Sequence, residues 1–132
     1  METTTVNYFP WTTSMMAFVI DKDNRVLLTA ENELWGTYKM DSTGEVNIRK
    51  MVCDELYKYD ILTSPEDLQH IGILNNEGRT VFIYIVNEFV TNSPTPSLNS
   101  LWYFKEEIPF HRLAGFEKHI LSMILNGKKI GF

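Results

Sequence analysis

The stretch that decides the fold is Trp35–Leu62, WGTYKMDSTGEVNIRKMVCDELYKYDIL. It reads as a loop, a turn and a helix. From Val46 to Tyr59 there is no Gly or Pro, and Ile48, Met51, Val52, Leu56 and Tyr59 recur at three- and four-residue steps. Side chains so spaced fall on one side of an α-helix, so the segment predicts an amphipathic helix with that stripe against a core. Ser42 or Thr43 is placed to cap it, and Ser42–Glu45 fits the S-x-x-E capping box. Carboxylates occur before the helix at Glu45 and within it at Asp54 and Glu55. The next turn carries Tyr57, Lys58 and Tyr59, with no acid among them.

Upstream, Ser14–Ile20 and Arg25–Ala30 are short apolar runs on either side of the polar cluster Asp21–Asn24, which predicts a β-hairpin. Downstream, Leu68–Leu74 and Arg79–Val90 flank Asn75-Asn76-Glu77-Gly78, the strongest hairpin turn in the chain. Val81–Val86 is unbroken by charge, as in a strand buried on both faces. Thr91–Ser97 is a Pro/Ser loop, and Leu98–Ile108 reads as extended. Leu113, Phe116, Ile120, Leu121, Ile124 and Leu125 then recur on one helical face, with Gly127 as the stop. The order is hairpin, helix, long hairpin, short strand, helix. One economical solution buries these faces: an α/β (α+β) single domain over 1–132, with a mixed β-sheet sandwiched between the two helices.

Trp35–Leu62 also resembles the Nudix box, written in that family as G, five residues, E, seven residues, then R-E-U-x-E-E-x-G-U with U aliphatic. Laid on without a gap, Glu45 takes the first Glu, Asp54 the Glu of R-E, and Ile61 the final aliphatic position. Cys53 then stands for the Arg, Tyr57 and Lys58 for the paired glutamates, and Asp60 for the Gly. One inserted residue before the helix instead puts Glu55-Leu56 on E-U and Lys58-Tyr59 on the glutamate pair. Either way the pair is lost. The element order is similar to the Nudix order from Ala17 to Phe132. The tail, with Trp102-Tyr103-Phe104, Glu107-Ile108-Pro109-Phe110 and a final helix, resembles that of MutT-type oxidised-purine nucleoside triphosphatases.

The resemblance implies a chemistry and shows what this chain lacks for it. Hydrolysing a pyrophosphate linkage needs charge neutralisation and an activated water, both supplied in the family by divalent metal on clustered carboxylates. The metal ligands it implies here are Glu45, Asp54 and Glu55, with Asp54 and Glu55 as catalytic candidates and Mg2+ or Mn2+ as the cofactor if activity survives. A lysine where a ligand should be places a repelling charge beside a metal. The plainer reading makes Asp54 and Glu55 the solvated face of a helix and Glu45 a capping residue. Glu117 falls where the purine triphosphatases carry the second of two acids that read the base edge, and Phe116 takes the place of the first. The plainer reading leaves Glu117 exposed on the last helix. Trp35, Lys58, Glu88, Trp102 and Glu117 together outline the expected ligand site, with aromatic faces to stack a base and Lys58 to meet a phosphate. Cys53 reads as a packed thiol, and His70, His111 and His119 have no metal-ligand spacing.

Two functions are thus in competition. The first is a degenerate-box Nudix-fold protein that binds a nucleotide or a protein partner with little or no catalysis. The alternative is a Mg-dependent hydrolase of a nucleoside diphosphate linked to another moiety, recruiting Glu88 or Glu117 as a further ligand. The bulk composition excludes other classes. Net charge is −5 with no basic block, against duplex nucleic acid. The single cysteine forms no internal disulfide, and no apolar run approaches the ~20 residues of a membrane helix. The N-terminus METTTVNYFPWTTS lacks the pattern of a signal peptide, so a cytoplasmic setting is expected.

Overall fold

The computed structural model describes residues 12–31, 34–41, 47–76, 79–92, 99–113 and 115–126. Its spine is a parallel pair. Strand β1 (Thr12–Ile20) runs beside β6 (Arg79–Val86) in register from Thr12↔Arg79 to Val19↔Val86. The other edge of β1 is shared by two antiparallel strands. β4 (Tyr38–Asp41) takes its N-terminal part, Ser14–Ala17, and β2 (Val26–Glu31) takes Val19 and Ile20. Beyond β2 lie β3 (Leu34–Gly36) and β7 (Ser100–Tyr103), and β5 (Gln69–Asn76) pairs antiparallel with β6 at the far side. Among the described residues the sheet has seven strands.

The period-two alternation of a strand sends successive side chains to opposite faces, and here both faces are covered. Met15, Ala17 and Val19 of β1 join Leu27, Tyr84 and Val86 under helix α1 (Ile48–Tyr57), which contributes Val52 and Leu56. Met16 and Phe18 join Leu28, Val81 and Ile83 under helix α2 (Gly115–Leu125), which contributes Ile120 and Leu121. The mixed sheet is therefore sandwiched between the two helices, as the periodicities predict. At roughly 1.5–3 kcal/mol for each large side chain fully removed from water, this double core is the dominant stabilising term.

Several expectations need correction. Trp35–Asp41 is not loop; it supplies most of β3 and all of β4. Tyr38 and Met40 are buried while Lys39 and Asp41 are exposed, a true strand alternation but only four residues long. The β1–β2 hairpin is narrower than its apolar runs suggest, because β4 occupies most of the edge that β2 would use. Its turn is held by Asp21, whose Oδ1 accepts from the amides of Asp23 and Arg25, with Asn24 in the left-handed region at φ 62°. Helix α1 starts at Ile48, and its cap is Asn47, whose side chain accepts from the Lys50 amide. The proposed capping box at Ser42–Glu45 lies outside the described residues, as do the turn residues Glu77 and Gly78 and the stop at Gly127. The extended tail is strand only over Ser100–Tyr103, then turns at Lys105–Glu107. No helix among the described residues is long and apolar enough to cross a membrane.

Candidate functional site

The exposed side of α1 carries its acids in pairs with lysines. Lys50 Nζ lies 2.8 Å from Asp54, whose side chain is 62% exposed. Lys58, at the C-cap, places Nζ 3.1 Å from Glu55 Oε1. Both pairs are the three- and four-residue neighbours that a helix surface creates. Among the described residues no group of three or more His, Cys, Asp or Glu side chains is arranged to hold a metal ion. Mg2+ requires near-octahedral oxygen ligation, and two lysine-paired carboxylates do not fit it. Glu45 lies outside the described residues, and Trp35 is placed only by its backbone pairing with Ala30.

Where α1 ends, the chain turns through Asp60 at φ 67°. That left-handed conformation favours glycine, and Asp is among the few other residues that adopt it. The Asp60 carboxylate accepts from the Asn92 amide at 3.0 Å and from its Nδ2 at 2.9 Å. Thr63 Oγ1 donates to the Glu88 carbonyl at 2.7 Å, and Leu62 bridges Val90. The segment after α1 is thereby stitched to the segment after β6. Glu88 itself has an exposed side chain.

Phe89, beside Glu88, stacks on Trp102 with ring centroids 6.0 Å apart. The Arg25 guanidinium lies 5.4 Å from the centre of the Trp102 ring and 5.8 Å from that of Phe104, within cation–π range. Asp21 holds Arg25 Nε at 2.7 Å. On the same face of the sheet Tyr38 contacts Tyr59 with centroids 4.9 Å apart, and its hydroxyl pairs with Ser100 Oγ at 2.9 Å. Burial raises the Tyr38 pKa, which the Ser100 hydrogen bond partly offsets. Cys53 is half-buried, and burial together with Asp54, Glu66 and Asp67 pushes its thiol up, so it is a poor nucleophile. Arg25, Tyr38, Tyr59 and Phe89 were missed by the sequence reading. Each looks like ordinary strand or helix content, and only the tertiary contacts group them.

Glu117 is somewhere else. Its residue is 4% exposed, which overturns the reading of an exposed helix acid. Oε2 accepts from the Thr37 amide at 2.7 Å and Oε1 from Lys39 Nζ at 2.7 Å. Lys39 alternates with Tyr38 and Met40, which belong to the α1-side core, so this cluster is on the α2 side of the sheet. Of the five residues expected to outline a ligand site, Trp102 and the segments carrying Lys58 and Glu88 are linked on the α1 side. Glu117 is not among them.

The arrangement of sheet and helices has close counterparts among solved structures. The C-terminal domain of mouse MUTYH, in its complex with human PCNA, matches with a TM-score of 0.71 at 18% identity, covering 88% of each chain. A MutT protein from Bacillus halodurans matches at 0.62 and 22% identity over 89% of this chain and 84% of that one. A MutT Nudix hydrolase from Burkholderia pseudomallei matches at 0.64 and 14% identity over 86% and 97%. The chain has the Nudix fold. At such identities the likeness reaches the fold and no further. No protein-family model matches the sequence, and no curated protein matches it. Helix α1 lies against the sheet, and on it Asp54 and Glu55 are paired with Lys50 and Lys58.

Proposed function

We propose that this protein is a binding module on a Nudix fold with a degenerate box, poorly catalytic or not at all. The observation that carries the reading is Asp60. Its left-handed φ of 67° is the backbone state a Gly would favour, and the gapless alignment puts the box Gly at this residue. That register supports placing Tyr57 and Lys58 on the glutamate pair. Instead of two carboxylates for a metal, the end of the helix then offers a 68% exposed phenol and an ammonium. An ammonium can meet a phosphate oxygen directly, as a point charge. It cannot generate a hydroxide nucleophile from bound water as a metal does. Binding would therefore combine Lys58 with the aromatic surface at Trp102, and Glu88 at the rim. The ligand class is an anionic, nucleotide-derived small molecule.

A second reading is a protein partner, and the likeness to the MUTYH domain solved with PCNA supports it. Thermal-shift and calorimetric screening against purine and pyrimidine nucleotides, with and without Mg2+ or Mn2+, separates the two, because a ligand selective for the native state raises its melting temperature. The nucleotide reading expects weak, salt-sensitive binding that needs no divalent ion and is reduced by Lys58→Glu and by Trp102→Ala. Affinity unchanged in both variants would place the ligand elsewhere. No affinity in the wild type would favour the protein partner.

A further inference from the structure

Glu117 is a buried carboxylate with both oxygens engaged, one by a backbone amide 80 residues away in sequence and the other by a lysine. We infer that Glu117 is a positioning residue that couples α2 to the segment feeding the box helix. That segment, Gly36–Asp41, is pinned from several elements. Glu117 of α2 takes the Thr37 amide and Lys39 Nζ. Thr37 Oγ1 donates to the Ala17 carbonyl of β1, and Tyr38 pairs with Ser100 of β7. Ser14 Oγ donates to Asp41 Oδ1 at 2.6 Å. The approach is so close that a Cβ at Gly36 would lie 2.5 Å from Glu117 Oε2, so a side chain there would make the carboxylate shift.

The arrangement assigns each oxygen a separate task. Thr37 N–H is the buried donor, between two short strands, and Glu117 Oε2 is its acceptor. Lys39, with its side chain 56% exposed, neutralises the carboxylate from the solvent side. A buried carboxylate with neither partner would carry a large desolvation penalty, which is why both are needed. Glu117 thus acts on the box through the backbone at Thr37, and reads no ligand edge itself. This role is independent of what the α1 side of the sheet binds.

The test is amide hydrogen exchange and proton chemical shift on the 15N-labelled full chain, comparing wild type, Glu117→Gln, Glu117→Ala and Gly36→Ala. Removing the acceptor leaves Thr37 N–H buried and unsatisfied. Its exchange in Glu117→Ala should accelerate roughly tenfold to a hundredfold beyond any change in the β5–β6 amides. Gly36→Ala should do the same by displacing the carboxylate, and Glu117→Gln should restore most of the protection because an acceptor oxygen remains. In Glu117→Gln, which keeps the shape and is the safest to fold, the Thr37 amide proton should still move upfield as a charged acceptor becomes neutral. The inference is overturned if Thr37 exchange in Glu117→Ala rises no more than in β5–β6, or if its resonance in Glu117→Gln stays at the wild-type position.

Discussion

Replacing Lys58 by Glu tests the electrostatics of α1. In the wild type Lys58 Nζ is 3.1 Å from Glu55, with the two side chains 69% and 26% exposed. Losing so exposed a pair costs only about 0.2–0.5 kcal/mol. The new carboxylate then stands three residues from Glu55 and four from Asp54, and each like-charge neighbour costs a similar ~0.2–0.5 kcal/mol. It also brings a negative charge to the helix C-terminus, where the macrodipole disfavours it by about 0.3–1 kcal/mol. The sum is about 1–2.5 kcal/mol at low ionic strength, or a fall of roughly 3–10 °C in Tm for a chain of this size. Thermal unfolding by circular dichroism in low and molar salt reads it. At about 1 M salt the screening length shrinks to about 3 Å, so most of the loss should disappear. With three acids on neighbouring turns, the variant should also gain a Mn2+-dependent rise in Tm that the wild type lacks. A variant that melts with the wild type at low salt, or whose loss persists in molar salt, would refute the reasoning.

Asp60→Ala should destabilise by about 1–3 kcal/mol, since Ala keeps the left-handed strain and gives up the bonds to Asn92, while Asp60→Gly should cost less; urea midpoints decide. Stability should also fall in alkali. The Cys53 and Tyr38 pKa values are raised on folding, above the usual 9.0 and 10.0, so their contribution is complete below those values and is lost as pH climbs through the folded ones. Urea midpoints at about pH 8 and about pH 10 should differ in that direction, and a midpoint that rises with pH would contradict the assigned burial.

What the sequence made legible was whatever repeats. The apolar runs of β1 and β6 and the helical stripes ending in Leu56 and Leu121 are long enough for their period to show, and they place both layers of the core. Strands β3 and β4 are three and four residues long, too short for alternation to stand out against a Gly and two charges. The side-chain contacts were less legible because they are single and distant. Glu117 looks like any acid in the first turn of a helix until its acceptor role at Thr37 is seen. Asp60 looks like any acid after a helix until its φ of 67° shows a left-handed backbone. Asn47 caps α1 a few residues beyond the caps expected at Ser42 or Thr43, a difference that composition cannot resolve.

The central claim is that this Nudix fold binds without metal-dependent hydrolysis. The most direct measurement is product release from a panel of nucleoside diphosphates, triphosphates and nucleoside diphosphate-linked compounds, with Mg2+, with Mn2+ and with chelator, on wild type and on Glu55→Gln. The account predicts rates at the level of the buffer blank under all three conditions, with no difference between the two proteins. Turnover that appears with Mg2+ or Mn2+, vanishes with chelator and is lost in Glu55→Gln would contradict it.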